Sequence, residues 1–475
     1  MASPLLPLTR SSAAPRPRIA HIGLGAFSRS HQAWYTDLVN TGNHDDPWGI
    51  TGFTGRTSAV ADVLERQSGL YHVVTRGEQG DEITLIESVT AAHDGADLET
   101  FSKVIAHPDT ALVTLTVSEA GYRHGGGDGL NTAAPAVRDD LEVLASLAGA
   151  NNQVLADARA SVKLSTMPAR LALALETRRR AGAGAISLVP CDNLSRNGSI
   201  LRAVLRDASH ALSEDLVSYV DSSVAFVDTS VDRITPATTH ADRVLVEERT
   251  GYRDAASVVA ESFSDWVLSG HFPAGRPLWE AAGARFVDDI EPFERRKLWL
   301  LNGAHSLMAY AGLLSGLSAV HEAVRDARLR SWVDSYWNEA AASLPEGLDI
   351  AAYTDALLVR FENPRIAHSL RQISAEGSTK VRQRIVPVIF AQREAGRSAD
   401  ASIRAVAAWI AFVMTADSLI DARSDELLSA RTGPFDDAVA AIGEIADKRL
   451  ISDVEVRAQL CSEVRALVSG REVNR

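Results

Sequence analysis

The chain has 475 residues, a formal net charge of −13 and 46% hydrophobic residues. This length is typical of two or more domains, and the apolar content is ample for the core of a soluble globular protein. The negative charge argues against nucleic acids and anionic membrane surfaces as partners, because both attract basic proteins. No apolar run is long enough to span a membrane. Two cysteines predict neither a disulfide framework nor a cysteine-rich metal site, and they fit a reducing cytoplasm.

The N-terminal end predicts a tail followed by a nucleotide-binding unit. Residues 1–17 contain Pro, Ser and Arg but no acidic residue, and we expect a disordered tail rather than a transit peptide. A short apolar run then leads into Gly23 and Gly25 and a helix-like stretch, 30–39. Strand, tight turn and helix in this order open a dinucleotide fold, with the pyrophosphate at the helix N-terminus. Ser28 replaces the third glycine of the pattern, so a plain strand–turn–helix unit is the alternative.

Further strand candidates follow up to residue 287. Two of them, 111–117 and 185–190, are nearly continuous apolar runs, as expected of strands buried on both faces. Such strands place their carboxyl ends at the ligand crevice, which singles out Glu119 and Asn193. The other candidates are 48–53, 70–74, 83–89 and 226–236.

Beyond residue 288 the strand signals fade and helical patterns dominate. We predict an α/β protein, with an N-terminal Rossmann-type doubly wound domain over 18–287 and an all-helical C-terminal domain over 288–475. The predicted helices of the second domain are 292–314, 319–341, 350–361, 379–395, 399–416 and two near the C-terminus.

The first helix of the second domain carries three polar side chains of chemical interest. At about 100° per residue, Asn302 lies roughly 140° and His305 roughly 80° from Lys297, so all three fit one side of an α-helix. A lysine, an amide and an imidazole facing one cavity can serve as base, polarising donor and orienting donor while a hydride leaves carbon. The alternative is a surface lysine beside a polar patch.

The rest of the chain narrows the possible chemistry. Dehydrogenases usually polarise a carbonyl with zinc, with a Tyr–Lys pair or with a histidine. Two distant cysteines supply no zinc site, and the sequence contains no Tyr-x-x-x-Lys. Lys297 remains as the base, with its pKa lowered by burial or by Arg295 and Arg296. Asn193 and Asn302 could donate amide N–H groups to the developing alkoxide.

Two further groups have open interpretations. Asp232 could accept a hydrogen bond from a polyol hydroxyl, or it could pair with Arg233. In the turn-rich segment 360–380, Lys380 or Arg371 could grip hydroxyls or a carboxylate. The alternative for that segment is a linker between helices with solvated cations.

Four motifs together resemble the polyol-specific long-chain dehydrogenases, the mannitol dehydrogenase family. The match covers nearly the whole chain after the tail, and VDRITP (231–236) and RF-x-NP (360–364) agree as well. The four motifs are IGLGAF-x-R-x-HQ (22–32), TLTVSEAGY (114–122), CDNL with NG (191–198) and K-x-x-LLNG-x-HS (297–306).

The resemblance implies metal-independent hydride transfer with NAD or NADP. Lys297 would be the general base, Asn193 and Asn302 the oxyanion site, and Glu294 the relay of the proton to solvent. The resemblance also implies substrate binding by His305, Asp232 and Lys380, with Arg371 the candidate for a further arginine. The implied cofactor-binding residues are Gly23, Gly25, Ala26, Phe27, Arg29 and Glu119.

Cofactor preference is expected to be NAD first, with NADP possible. Ser68 stands where relatives commonly carry an Asp near the adenosine ribose, and loss of that carboxylate removes its repulsion of a 2′-phosphate. Arg56 and Arg66 could favour NADP.

The expected partner is a small-molecule polyol, ketose or sugar acid. The leading reaction interconverts a sugar alcohol and its ketose, with D-mannitol and D-fructose as the pair. The alternatives are fructuronate with mannonate, and then mannitol 1-phosphate. A catalytically inactive nicotinamide-binding regulator is the hypothesis from a different class, and the joint presence of Lys297, Asn193, Asn302 and His305 disfavours it. We expect a cytoplasmic protein, monomeric or a weak homo-oligomer.

Overall fold

The computed structural model describes residues 5–42, 46–55, 57–77, 79–125, 129–366 and 368–472. The chain divides into two compact units, residues 1–291 and 292–475. The predicted boundary between residues 287 and 288 lies just before this division.

A six-stranded parallel sheet forms the centre of the first unit. If the strands are numbered by their order in the chain, they lie side by side as 3-2-1-4-5-6. This is the doubly wound order of dinucleotide-binding folds. The prediction of a Rossmann-type domain is therefore confirmed. In spatial order the strands are Val89–His93, Trp48–Phe53, Arg16–Ile22, Leu112–Leu115, Ile186–Pro190 and Val224–Phe226.

Both faces of this sheet are buried. Ile19 and Leu112 belong to one apolar cluster, whereas the next residues along each strand, Ala20 and Val113, belong to another. Successive side chains of a strand point to opposite faces, so the sheet needs helices on both sides. The helices of this unit are Ala26–Ser30, Gln32–Gly42, Ala59–Arg66, Leu98–Ile105, Pro135–Ser146, Asn152–Ser161, Met167–Ala181, Asn197–His210, Glu214–Ser223 and His240–Thr250.

Smaller sheets accompany the main one. Tyr71–Gly77 pairs antiparallel with Gly80–Ile86 and parallel with Val258–Glu261. The candidate strand 70–74 thus belongs to a side sheet, and the third strand of the main sheet is Val89–His93, which the sequence patterns did not isolate. The other small sheets join Asp228–Asp232, Asp265–Ser269 and Arg285–Phe286, and Leu6–Pro7 with Tyr252–Arg253.

The described part of the predicted tail is not disordered. Residues Leu6–Pro7 pair with Tyr252–Arg253, and Leu8 is buried. The Arg10 guanidinium donates to the carbonyl oxygens of Glu87 (2.8 Å) and Val89 (2.9 Å). These backbone contacts order residues 5–17, and composition alone could not reveal them.

The second unit is helical, and no β-strand occurs among its described residues. This confirms the predicted helical domain. No helix in the described ranges has both the length and the apolar character required to cross a membrane. The α-helices are Glu291–Arg296, Gly303–Leu314, Val320–Arg325, Ala327–Ala341, Ile350–Glu362, Leu370–Ile373, Gly377–Arg384, Val386–Glu394, Asp400–Thr415, Ser424–Ala430, Phe435–Ala446, Arg449–Ser452 and Val454–Glu472.

Local signals divide two of the predicted helices. The stretch 319–341 breaks at Asp326, whose carboxylate accepts from the N–H groups of Arg328 and Leu329 and so caps a new helix. The stretch 379–395 breaks at Ile385, because the proline that follows Val386 fits the first turn of a helix but not its interior.

Candidate active site

A tight turn follows the first strand of the main sheet. Gly23 has φ +94°, and a Cβ at this position would lie 2.3 Å from the carbonyl oxygen of Thr116. The N–H groups of Gly23 and Leu24 both donate to the carbonyl of Phe53 (2.9 Å each), which ties the turn to the second strand. Glycine is therefore required at residue 23 by both conformation and space.

A chain of hydrogen bonds joins this turn to the fourth strand, at the point where the strand order reverses. The His21 ring contacts the hydroxyl groups of Thr114 (2.8 Å from Nδ1) and Thr116 (3.1 Å from Nε2). The Thr116 hydroxyl donates to the Gly23 carbonyl (2.8 Å). Burial lowers the pKa of His21 to about 4, so the ring is neutral and serves structure near pH 7.

Ser28 and Arg29 support the turn. The Gly25 N–H donates to the Ser28 hydroxyl (3.0 Å), so the serine in the third glycine position caps the turn. Arg29 Nε donates to the Gly25 carbonyl (3.0 Å), and its Nη1 donates to the Ala256 carbonyl. Arg29 is buried, and these two backbone carbonyls engage its guanidinium. The turn at Gly23–Gly25 is named the cofactor turn below, because it is the predicted cofactor site.

The turn fits a dinucleotide. It lies at the carboxyl edge of the sheet at the switch point, where open α/β sheets bind ligands. A Cβ added at Gly25 would meet nothing closer than the Gly23 carbonyl oxygen at 3.5 Å, so there is room for a close approach of backbone and ligand. The helix that begins at Ala26 and includes Phe27 follows directly. The predicted residues Gly23, Gly25, Ala26 and Phe27 are thus brought together here.

Ser68 lies at the opposite edge of the sheet, so the sequence-based placement near the ribose is wrong. Its neighbour Gly69 packs on the carbonyl of Val89, which begins its strand, whereas parallel strands bind ligands at their carboxyl ends. Thr54 and Gly55 follow the second strand at the carboxyl edge. Arg56, the next residue, lies outside the described residues.

Two strand ends carry Glu119 and Asn193. Glu119 is exposed and begins the short 3₁₀ helix Glu119–Tyr122 after the fourth strand. Asn193 is exposed and follows the fifth strand. The two segments are linked, since the Tyr122 hydroxyl donates to the Asp192 carboxylate, which also accepts from the Leu194 N–H (2.9 Å).

The side-chain amide of Asn197 supports the segment that contains Asp192 and Asn193. Its side-chain Nδ2 donates to the carbonyl of Thr229 (3.1 Å), and its Oδ1 accepts from the Thr229 N–H (2.9 Å). Asn197 is fully buried and its Nδ2 also lies 3.4 Å from Asp192 Oδ1. The sequence motif CDNL with NG contains Asp192 and Asn197, but no role was predicted for them. Their position beside a strand end was the signal that could have identified them.

Asp232 ends a strand of a small sheet and is buried. The neighbouring guanidinium of Arg233 donates to the carbonyls of Glu261 (3.1 Å) and Ser30, and it stacks on Trp34 with 4.1 Å to the ring centroid. Burial lowers the pKa of Arg233 to about 10. Arg233, the alternative partner predicted for Asp232, is therefore engaged by backbone carbonyls.

In the second unit, Lys297 and Asn302 begin and end a π-helix, Lys297–Asn302, which interrupts the expected α-helix. The Gly303 N–H donates to the carbonyl of Leu298, five residues earlier. Residues five apart lie about one turn apart in a π-helix, so Lys297 and Asn302 share a face more closely than α-helical spacing predicted. Glu294 lies three residues before Lys297 and is half-buried.

The two arginines before Lys297 differ in their surroundings. Arg296 is buried, donates to the Leu348 carbonyl (3.1 Å) and lies over the Tyr353 ring at 4.1 Å. Arg295 is half-buried and lies 5.8 Å from the Trp299 ring centroid.

His305 is buried between aromatic rings, with basic side chains in its neighbourhood. Its ring lies 4.8 Å from the rings of Phe361 and His368, centroid to centroid. Burial holds the pKa of His305 well below its ordinary value, and the charges of His368, Arg360, Arg384 and Lys380 lower the pKa further. Its Nε2 has no hydrogen-bond partner in the part of the chain that the structure describes.

Lys380 and Arg384 share one face of the helix Gly377–Arg384. Lys380 Nζ donates to the Ile373 carbonyl (3.0 Å), and burial together with the charge of Arg384 lowers the pKa of Lys380 to about 8. Arg384 Nη1 lies 3.4 Å from the Asn302 carbonyl and 3.2 Å from the Ser306 hydroxyl.

Arg371 does not join this group. It is exposed, and its Nη2 donates to the backbone carbonyl (3.1 Å) and the hydroxyl (2.7 Å) of Ser418. Arg384, rather than Arg371, lies near Asn302, Ser306 and His305. The sequence feature that could have identified Arg384 is its spacing of four residues from Lys380, which puts both on one helix face.

Comparison with known protein families decides the classification. The model of the mannitol dehydrogenase Rossmann domain matches residues 17–281, and that of the mannitol dehydrogenase C-terminal domain matches residues 289–463. The chain belongs to the mannitol dehydrogenase family.

Named relatives and solved structures agree with this membership. D-arabinitol 4-dehydrogenase of Ralstonia nicotianae is 36% identical over 391 residues, covering 80% of this chain and 80% of that protein. D-mannonate oxidoreductase of Escherichia coli is 32% identical over 409 residues, covering 84% and 80%. Mannitol 2-dehydrogenase of Pseudomonas fluorescens, solved with NAD and D-mannitol, superposes with a TM-score of 0.76 at 29% identity, covering 97% of this chain and 93% of that one.

The predicted class is thereby confirmed. This member of the mannitol dehydrogenase family is an NAD-dependent oxidoreductase that acts on a CH–OH group. The predicted roles of individual residues remain predictions.

Proposed function

We propose that the protein interconverts a secondary alcohol of an open-chain polyhydroxy substrate and the corresponding ketone, with Lys297 as general base. The observation that carries this proposal is the π-helix, which brings Lys297 and Asn302 onto a common face one turn apart. A base and an amide donor close together suit a reaction in which a hydroxyl loses its proton while its oxygen gains negative charge.

Each residue has a distinct part in the proposed step. The Lys297 amine takes the hydroxyl proton, and Glu294, three residues earlier, passes it to solvent. The side-chain N–H groups of Asn302 and Asn193 donate to the oxygen as charge develops. The Gly23–Gly25 turn would hold NAD, which when bound would accept the hydride from the alcohol carbon.

His305 suits recognition of a neutral hydroxyl. Burial keeps its imidazole uncharged near pH 7, and Nε2 has no hydrogen-bond partner among the described residues. A buried polar atom without a partner costs free energy unless a ligand or water satisfies it. His305 is the proposed partner of a substrate hydroxyl, and Asp232 is proposed as a further acceptor.

A sugar acid is the second candidate for the substrate. The basic side chains of Arg360, Lys380 and Arg384 are near enough to His305 to lower its pKa, and guanidinium and ammonium groups suit a ligand that carries a carboxylate. D-mannonate oxidoreductase of Escherichia coli, among the relatives, is named for such a substrate. A sugar alcohol such as D-mannitol remains the first candidate, since the relatives named for arabinitol and mannitol are at least as similar to this chain as the relative named for mannonate.

A panel of substrates tests the proposal. NADH formation is measured with mannitol, arabinitol, sorbitol, mannonate and mannitol 1-phosphate, and each assay is repeated with NADP. We expect turnover of a polyol or of mannonate with NAD. If mannonate is preferred, Arg384→Gln should raise its KM about tenfold or more while the KM for NAD stays constant. Absence of turnover with every compound would contradict the proposal.

A further inference from the structure

Two neighbouring side chains contact the backbone of the π-helix. The Tyr336 hydroxyl donates to the Trp299 carbonyl (3.0 Å), and the Trp337 indole N–H donates to the Leu300 carbonyl (2.8 Å). Both side chains belong to the helix Ala327–Ala341, and both are buried.

The Trp299 carbonyl lies where the backbone needs an external donor. The Gly303 N–H donates to the Leu298 carbonyl, five residues earlier, and also contacts the Leu300 carbonyl, whereas the α-helix that follows uses bonds that span four. At such a change of register one carbonyl is passed over by the helical ladder. Trp299 and Leu300 are buried at this transition, and an unsatisfied buried carbonyl is costly. Tyr336 supplies the donor for the Trp299 carbonyl, which is passed over, and Trp337 adds a second donor to the Leu300 carbonyl beside it.

Gly303 permits this arrangement. Its φ of −64° and ψ of −49° suit any residue, so its backbone conformation does not require glycine. A Cβ there, however, would lie 2.0 Å from the Tyr336 hydroxyl oxygen and 2.7 Å from its Cζ. Glycine is needed because the tyrosine ring must reach the backbone at this point.

The same tyrosine connects the π-helix to the cations near His305. Its hydroxyl also lies 3.1 Å from the Arg384 carbonyl, and the Arg384 guanidinium contacts the Asn302 carbonyl at 3.4 Å. A single buried hydroxyl therefore links two elements that carry candidate site residues.

We propose that Tyr336, Trp337 and Gly303 are positioning residues that hold the π register and thereby keep Lys297 and Asn302 on one face. The assignment rests on the proposed function for the roles of Lys297 and Asn302. Without these contacts the π-helix Lys297–Asn302 would return to α-helical spacing, which turns Asn302 away from Lys297. None of the three needs to touch the substrate.

Tyr336→Phe and Trp337→Phe remove one donor each, and Gly303→Ala forces the tyrosine ring away. We expect kcat to fall about tenfold for each aromatic variant and about 100-fold for Gly303→Ala, because a displacement of about 1 Å in a catalytic group has effects of that size. The KM for NAD should stay constant, and the apparent pKa of kcat should move. Tyr310→Phe is the matched control, since Tyr310 is also buried and donates to a carbonyl outside the π-helix, that of Ser374 (3.3 Å).

A crystal structure of Tyr336→Phe provides a direct measurement. We expect the Gly303 N–H to bond to the Trp299 carbonyl in place of Leu298, which marks a return to the α register. If Gly303→Ala does not fold, Tyr336→Phe still carries the test. Activities and pH profiles of the Tyr336 and Trp337 variants equal to those of Tyr310→Phe, with an unchanged π-helix, would overturn the inference.

The two proposals fail in different ways. If Lys297→Ala is inactive while Tyr336→Phe and Trp337→Phe resemble the control, the positioning inference is wrong and the proposed function stands. If Lys297→Ala retains near-wild-type turnover, the proposed function itself is wrong. A double variant, Gly303→Ala with Tyr336→Phe, should lose less activity than the product of the single losses, because both act on one contact.

Discussion

The cofactor turn and the π-helix achieve local precision by different means. The turn is held by its own strand–turn–helix unit and the adjoining strands, through Gly23, Ser28 and the Phe53 carbonyl. The π-helix is held by side chains from a separate helix, Tyr336 and Trp337. Contacts within one strand–turn–helix unit and its adjoining strands tolerate changes elsewhere in the domain. Contacts from a separate helix depend on how the helices pack.

Removing the amide at the end of the π-helix should have the largest effect among the following changes. Asn302→Ala should lower kcat about 100-fold or more, because one oxyanion donor contributes on that scale. The KM for NAD should change little. Steady-state kinetics at saturating NAD provide the measurement, and a kcat within twofold of wild type would show that the amide does not act on the alkoxide.

The cofactor turn offers a matched pair of glycines. Gly25→Ala should raise the KM for NAD about tenfold while the free energy of unfolding changes by less than about 1 kcal/mol, because a Cβ there meets nothing closer than 3.5 Å. Gly23→Ala should lower the free energy of unfolding by about 3 kcal/mol, since it combines positive φ with a backbone clash. Denaturant unfolding and NAD titration separate the two effects. Equal stability of the two variants would contradict this division of roles.

The polar support under Asn193 should matter less. Asp192→Asn and Tyr122→Phe each weaken the bond that links two strand ends, and we expect kcat to fall about tenfold through misplacement of Asn193. Arg202→Gln serves as the control, because its partner Asp221 is a surface carboxylate on a neighbouring helix. If kcat falls equally in the control, support of Asn193 does not explain the loss.

Acid should weaken the first unit through His21. The pKa of this residue is about 4 in the folded protein and about 6.5 when unfolded, so the unfolded state binds more protons between these values. The free energy of unfolding should therefore fall as pH decreases from about 6.5 to about 4, by up to about 3 kcal/mol from this residue. His21→Gln should flatten that dependence. An identical pH dependence in the variant would show that His21 does not contribute.

Metal removal should have the smallest effect. Extended treatment with a chelator should leave turnover unchanged, because Lys297 rather than a zinc ion is proposed to accept the proton. A loss of activity that zinc restores would contradict the metal-independent mechanism.

The contrast between the two regions also explains what the sequence could reveal. Gly23 and Gly25 follow an apolar run and precede a helix, so local pattern was enough to locate the turn. A shared face for Lys297, Asn302 and His305 was predicted from periodicity. The π register was not, because it depends on donors more than thirty residues away.

Other predictions differ from the structure for the same reason, because they depend on contacts between residues that are distant in sequence. Ser68 was placed near the ribose because spacing along the chain says little about which edge of a sheet a loop reaches. Arg371 was named as a candidate because it is basic and near Lys380, and only the packing of helices shows that Ser418 engages Arg371. Residues 5–17 were expected to be disordered because their partners, Tyr252 and Val89, are distant in sequence.

The most direct test is the rate of hydride transfer in Lys297→Ala, measured in a single turnover across pH with bound NAD. We expect a rate at least about 1000-fold below wild type at pH 7, with unchanged NAD affinity and partial recovery when a small alkylamine is added. A rate close to that of the wild type at neutral pH would contradict the assignment of Lys297 as the base.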